Sequence, residues 1–153
     1  MSETDLRVLI IESRYYNEIA VELLAGATEA LAAAGATYER VEVPGAFEIP
    51  AAIKFAVEAE GGENGPFDGY VGLGCVIRGE TTHYDYVCQE SARGLQYLAL
   101  QHAIAIGYGV LTTENRDQAW VRADRKQGNK GGTVANACLA MINLRRQFGL
   151  DGK

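Results

Sequence analysis

Gly72-Leu73-Gly74-Cys75-Val76-Ile77-Arg78-Gly79-Glu80-Thr81-Thr82-His83-Tyr84-Asp85-Tyr86 holds the end of an apolar run and the start of a polar, glycine-punctuated loop, just ahead of a helical pattern. Tyr70 to Ile77 is apolar on both faces, as in a strand buried within a parallel sheet. Such sheets hold ligands beyond the carboxyl ends of their strands, which puts Arg78 to His83 at a candidate site. Gly79 lets a ligand approach the backbone, and the amides of Glu80 and Thr81 with the threonine hydroxyls can bind an anion. The following helix aims its positive end at the same loop, so a phosphate is at home there. The loop is not a P-loop: the glycine frame Gly74 to Gly79 fits, but Glu80 and Thr81 stand where Lys and Ser or Thr are required. A dinucleotide fingerprint fails too, because the glycine after Gly72 and Gly74 comes too late and lies in a loop.

Downstream, Val87, Cys88, Ser91, Leu95, Leu98, Ala99 and His102 trace one face of a helix beginning near Tyr84, and Ala103 to Leu111 gives a fourth strand. Thr112-Thr113-Glu114-Asn115 is its strand-end loop, where Asn115 and Gln118 are spaced as a capping box for a helix to about Arg125. Gly128-Asn129-Lys130-Gly131-Gly132 then interrupts a helical pattern that resumes with Val134, Ala137, Cys138, Met141, Ile142 and Phe148. Upstream, Gly61 to Pro66 is a flexible connector, preceded by a helix to about Glu60 with Pro50 in its first turn. Pro44-Gly45-Ala46-Phe47-Glu48-Ile49-Pro50 is a rigid loop, and Thr37 to Val43 is a second, more exposed strand that alternates Tyr38, Val41 and Val43 with polar residues.

Leu6 to Glu12 is a first, central strand ending in the polar turn Ser13-Arg14-Tyr15-Tyr16-Asn17. Asn17 reads as the N-cap of a helix carrying Ile19, Leu23, Ala27, Ala30 and Leu31 until Gly35 stops it. The order β-α-β-α-β-α-β-α-α over residues 1–153 predicts one domain of the α/β class. Its form is a three-layer α/β/α sandwich around a four-stranded parallel sheet, flavodoxin-like, with right-handed crossovers.

At 153 residues, 48% hydrophobic and 22% charged, the chain can bury about two thirds of its unfolded surface. A net charge of -6 argues against a nucleic-acid partner, so anion binding must be local. Cys75, Cys88 and Cys138 are odd in number and lie in apolar patterns, as reduced, buried thiols of a cytosolic protein do. Met1-Ser2-Glu3-Thr4-Asp5 lacks the basic and apolar regions of a signal peptide, and no apolar run approaches a bilayer span. A soluble, cytoplasmic protein without a membrane partner is expected.

Four segments carry a family likeness: Val43-Pro44-Gly45-Ala46-Phe47-Glu48-Ile49-Pro50, Val76-Ile77-Arg78-Gly79-Glu80-Thr81-Thr82-His83-Tyr84, Gly109-Val110-Leu111-Thr112-Thr113-Glu114-Asn115 and Gly128-Asn129-Lys130-Gly131. In this order, within a likeness running from about Val8 to Phe148, the chain resembles the 6,7-dimethyl-8-ribityllumazine synthase family. The resemblance implies a transferase at the penultimate step of riboflavin biosynthesis. It would condense 5-amino-6-(D-ribitylamino)uracil with 3,4-dihydroxy-2-butanone 4-phosphate, releasing phosphate and water, with no metal or organic cofactor. It also implies a homopentamer with sites between neighbours, which some members stack into decamers or sixty-subunit capsids.

Carried over by motif, His83 is the acid/base residue and Tyr16 the aromatic stacked on the pyrimidine. Ala46, Phe47, Glu48, Cys75, Val76 and Ile77 stand where the aminouracil and ribityl chain bind. Glu80 and Thr81 match the phosphate turn, Arg122 the arginine that clamps it, Tyr108 an aromatic from the neighbouring subunit, and Lys130 a lysine near the site. Some positions depart from the usual pattern: Tyr16 and Tyr108 replace Phe, Cys75 replaces Thr, and Glu42 stands where Trp is common. Glu80 stands where a small residue is usual, so its side chain must point away while its amide binds. The short stub before Leu6, and Ala123-Asp124-Arg125-Lys126-Gln127 in place of a small-residue turn, favour pentamers or decamers over capsids.

The chemistry suits these residues. Arg122 offers a bidentate fork to a phosphate, and an imidazole with a pKa of about 6.5 moves protons near neutrality. The amine is already a nucleophile, and holding two substrates together is worth roughly 7–11 kcal/mol at best. Apart from the resemblance, His102 reads as structural at a helix C-terminus and Cys75 as packing, while Glu48 is as readily a helix cap as a site residue and Lys130 as readily a solvated hinge residue. A non-catalytic flavin or pterin carrier and a self-assembling shell remain open, and His83, Arg122 and the Glu80-Thr81 turn favour the enzyme.

Overall fold

Val8 and Ile10 point to one side of the first strand, Leu9 and Ile11 to the other, and none is more than 5% exposed. A strand that buries both faces belongs inside a sheet covered on both sides. In the computed structural model, which describes residues 5–59 and 67–150, it is β1 (Arg7–Ser13). β1 pairs in parallel with β2 (Thr37–Val43) and β3 (Gly69–Ile77), and β3 pairs with β4 (Ala105–Thr113), giving the order β2-β1-β3-β4. The connector expected at Gly61 to Pro66 and most of the acidic N-terminal segment lie outside the described residues.

Each face of the sheet has its own core. Val8, Ile10, Val71 and Leu73 pack with residues of α1 (Asn17–Ala33), α4 (Arg116–Ala123) and α5 (Lys130–Gln147). Leu9, Ile11, Tyr70 and Val110 pack with α2 (Ile49–Glu58) and α3 (His83–His102). This is the expected three-layer α/β/α arrangement. Glycine sets how closely the layers meet: a Cβ on Gly131 would fall well inside contact of the Leu23 carbonyl, and one on Gly107 inside that of Val134.

Several local expectations are corrected. Asn17 begins α1 rather than capping it; Tyr16 holds the cap position, and the Asn17 Oδ1 accepts from Arg14 Nε at 3.2 Å. The fourth strand starts at Ala105, after Ala103 ends α3 in the left-handed conformation at φ 52°, and runs to Thr113. Thr112 and Thr113 are therefore strand, held by pairing with Val76 and Ile77. The proline-flanked loop contains a 3-10 turn, Ala46–Glu48, and α2 and α4 end at Glu58 and Ala123. β2 is open on both faces instead of alternating, with Tyr38 46% and Val41 42% exposed, because α2 packs on β1 and α3 rather than on it. Asn115 does cap α4, accepting from Gln118 N at 2.9 Å, while the Gln118 side chain accepts from Glu114 N at 2.8 Å. The thiols are free: Cys138 is buried, but Cys75 and Cys88 only half so.

Candidate active site

The loops beyond β1, β2 and β3 enclose a cleft of about 830 Å³ at the carboxyl end of the sheet. Of the expected site residues, Tyr16, Ala46, Phe47, Glu48, Cys75, Val76, Ile77, Thr81 and His83 line it.

Short-range chemistry explains how they are presented. In the 3-10 turn, Ala46 (6% exposed) and Ile49 (0%) anchor the backbone in the core, so Phe47 between them projects outward, 54% exposed. Glu48 sits at the N-cap of α2 but makes no capping hydrogen bond, which leaves its carboxylate to the cleft. β3 is buried until its last three residues, where Cys75, Val76 and Ile77 become half-exposed as the cleft opens. Burial pushes the Cys75 thiol up to about 12, so it is neutral near pH 7 and contributes shape and polarity rather than a nucleophile.

The turn after β3 is strapped in place by Arg78. Its Nε lies 3.0 and 3.1 Å from the two Glu114 carboxylate oxygens, its Nη1 lies 3.5 Å from Asp85, and its guanidinium stacks 4.4 Å from the Tyr84 ring centroid. The Arg78 amide donates to Thr113 O at 2.9 Å, joining the turn to β4. An exposed, solvent-screened pair of this kind contributes little to stability, so its role is geometric. His83 opens α3, its amide donating to the Thr81 Oγ1 at 3.3 Å, and its exposed ring faces the cleft beside Tyr84 and Tyr86. Burial raises the Tyr84 phenol above its ordinary range.

Four expected residues do not line this cleft. Glu80 is exposed in the turn. Tyr108 lies on β4, 39% exposed, its phenol raised by burial and opposed by a hydrogen bond with Ser91. Arg122 is exposed in the last turn of α4, donating to Gln118 O at 3.0 Å, and Lys130 is exposed at the start of α5. Among the described residues the lining contains no lysine or arginine, Glu48 is its only acidic residue and His83 its only histidine. His102 ends α3 with its Nε2 3.2 Å from Lys54 Nζ and is not among the lining residues. Among the described residues no group of three or more His, Cys, Asp or Glu is placed to hold a metal ion, and no helix is long and apolar enough to cross a membrane.

The sequence reading missed Tyr15. It is 76% exposed, meets Tyr16 edge-on at 4.9 Å, and lines both the main cleft and an adjoining one of about 420 Å³ with Arg14, Glu42, Val43 and Pro44. Tyr16, half-buried, packs against the α1 core as well as lining the cleft. The doubled aromatic in Ser13 to Asn17, at the end of the first strand, was the available signal. Tyr86 was readable as well, standing one helical turn after His83.

The family model for 6,7-dimethyl-8-ribityllumazine synthase matches residues 5–146. A 6,7-dimethyl-8-ribityllumazine synthase of Azorhizobium caulinodans is 54% identical over 144 residues, covering 94% of this chain and 89% of that protein. A 6,7-dimethyl-8-ribityllumazine synthase 1 of Rhizobium meliloti is 51% identical over 146 residues, covering 95% of each chain. One of the same description from Mesorhizobium japonicum is 53% identical over 144 residues, covering 93% of this chain and 87% of that protein. The matched span takes in every strand-end loop that builds the cleft, and the chain belongs to the 6,7-dimethyl-8-ribityllumazine synthase family.

Proposed function

We propose that this protein is a 6,7-dimethyl-8-ribityllumazine synthase, a transferase that condenses 5-amino-6-(D-ribitylamino)uracil with 3,4-dihydroxy-2-butanone 4-phosphate. One observation carries the reading: a single cleft holds the proline-loop aromatic Phe47, the free carboxylate of Glu48, the anion-binding turn at Gly79 and Thr81, and His83. The pyrimidine stacks against Phe47 and the Tyr15-Tyr16 pair, and its polar chain runs along Cys75, Val76 and Ile77. The phosphate sits on the amides of Glu80 and Thr81 before α3, with the Glu80 carboxylate turned to solvent.

The ring amine attacks the ketone carbon, water leaves to give an imine, phosphate is eliminated, and the second nitrogen closes the ring with loss of water. Each step moves a proton, and His83 stands at the turn where these transfers occur. Because the amine needs no activation, most of the acceleration comes from holding the two substrates in contact.

Among the described residues the cleft lining supplies no lysine or arginine for the phosphate. A neighbouring copy of the chain supplies it, bringing Arg122, with Tyr108 and Lys130, to the open side of the cleft. A homopentamer in the cytoplasm is the assembly we propose, and decamers remain within reach of the same surfaces.

The test mixes purified protein with both substrates and follows lumazine formation and phosphate release together, with the spontaneous reaction subtracted. Matched, protein-dependent release of both is expected. Product no faster than background from a folded oligomer overturns the synthase and favours a carrier or a shell.

A further inference from the structure

We propose that Glu12 is a positioning residue that fixes the Tyr15-Tyr16 loop for the pyrimidine ring. Glu12 lies near the end of β1, 1% exposed, between Glu42 on β2 and Leu73 on β3. A carboxylate so placed is costly unless it is paired, and an apolar side chain would fill the position without that cost. Packing therefore does not account for it.

Its two oxygens bind different arginines. Oε1 lies 2.8 Å from Arg14 Nη1, and Oε2 accepts from Nη1 of Arg40 on β2. Arg14 then uses the other edge of its fork, Nε donating to the Asn17 Oδ1 at 3.2 Å. The chain of contacts Arg40, Glu12, Arg14, Asn17 brackets the aromatic pair, with Arg14 just before Tyr15 and Asn17 just after Tyr16.

Tyr15 needs such a bracket. Its ring is 76% exposed and touches only the edge of Tyr16 among the aromatic rings, so little packing sets its direction. Its orientation is inherited from the loop backbone, which is flanked by Arg14, bonded to the buried Glu12 carboxylate, and by Asn17, bonded in turn to Arg14. Misplacing a binding group by about 1 Å can cost a hundredfold, which gives the latch its leverage.

The inference rests on the synthase reading, in which this pair stacks on the pyrimidine. Steady-state kinetics are measured with both substrates on the wild type, Glu12→Gln and Asn17→Ala, with melting curves to confirm folding. Glu12→Gln is expected to raise KM for the aminouracil about tenfold, leaving kcat and KM for the butanone phosphate within about twofold. Asn17→Ala cuts only the exposed end of the bracket, cannot disturb the core, and should move the same KM by about threefold. Arg14→Lys should resemble Glu12→Gln, because an ammonium lacks the fork that reaches both partners. An unchanged aminouracil KM in Asn17→Ala or in folded Glu12→Gln overturns the latch, as does an equal rise in both KM values. Absence of turnover in the wild type overturns the synthase reading itself, and the latch with it.

Discussion

Phe47, Glu48, Thr81 and His83 meet in one cleft beyond the strand ends, whereas Tyr108, Arg122 and Lys130 sit on β4, α4 and α5 and do not line it. Among the described residues the first group has an enclosure lined by no lysine or arginine, and the second has exposed cations outside that enclosure. In the proposed reading each is half of a phosphate site. Two copies placed with one surface against the other would complete a site that a single copy cannot, which is the physical case for sharing it.

The largest expected effect tests whether the outlying half is a rigid platform. Gly131→Ala puts a methyl against the Leu23 carbonyl where α5 meets α1, and should cost about 3 kcal/mol, read as a lower melting temperature. An unchanged melting temperature would show that the α1–α5 contact yields.

Arg122→Ala should raise KM for the phosphorylated ketone about a hundredfold, with the aminouracil KM little changed, since a charged fork is lost from one substrate only. Equal effects on both substrates would break the assignment of Arg122 to the phosphate. His83→Ala should lower kcat about thirtyfold without abolishing turnover, because proximity remains. Complete loss in a folded, assembled variant would make His83 more than a proton shuttle. Co-refolding equal amounts of the two variants sharpens the comparison. If the halves come from different copies, roughly a quarter of the sites regain both wild-type residues and activity rises above either parent. No rise would place both halves in one chain.

The smallest effect concerns the thiols. Burial pushes both Cys75 in the cleft and Cys138 on the buried face of α5 up to about 12 from an ordinary value near 9. A pKa raised on folding means stability that is fully present below the unfolded value and lost as pH rises through the folded one. The melting temperature should therefore hold up to about pH 9 and decline between about 9 and 12, as should resistance of Cys75 to alkylation. Rapid alkylation of Cys75 at pH 7.5 would show that burial does not keep its thiol neutral.

Much of this was legible in the chain. Alternating strands and helices gave the layers, Gly35 ended α1 in the left-handed region at φ 76°, and Asn115 capped α4, because each depends on chemistry within a few residues. The cleft was legible to the same depth: residues at the ends of β1 and β3 and in the Pro44–Pro50 loop converge because parallel strands deliver their carboxyl ends to one edge.

The sequence by itself determined which elements form, their order, and which loops carry the polar and glycine-rich chemistry. Only the tertiary structure decided that Tyr15 is open while Tyr16 is turned inward, that Glu12 is buried between two arginines, and that Arg122 stays off the cleft. Propensity, capping and periodicity act over a few residues and leave their mark on the local sequence. The direction of a side chain in an aperiodic loop, and its distance from a residue a hundred positions away, are set by how whole layers pack.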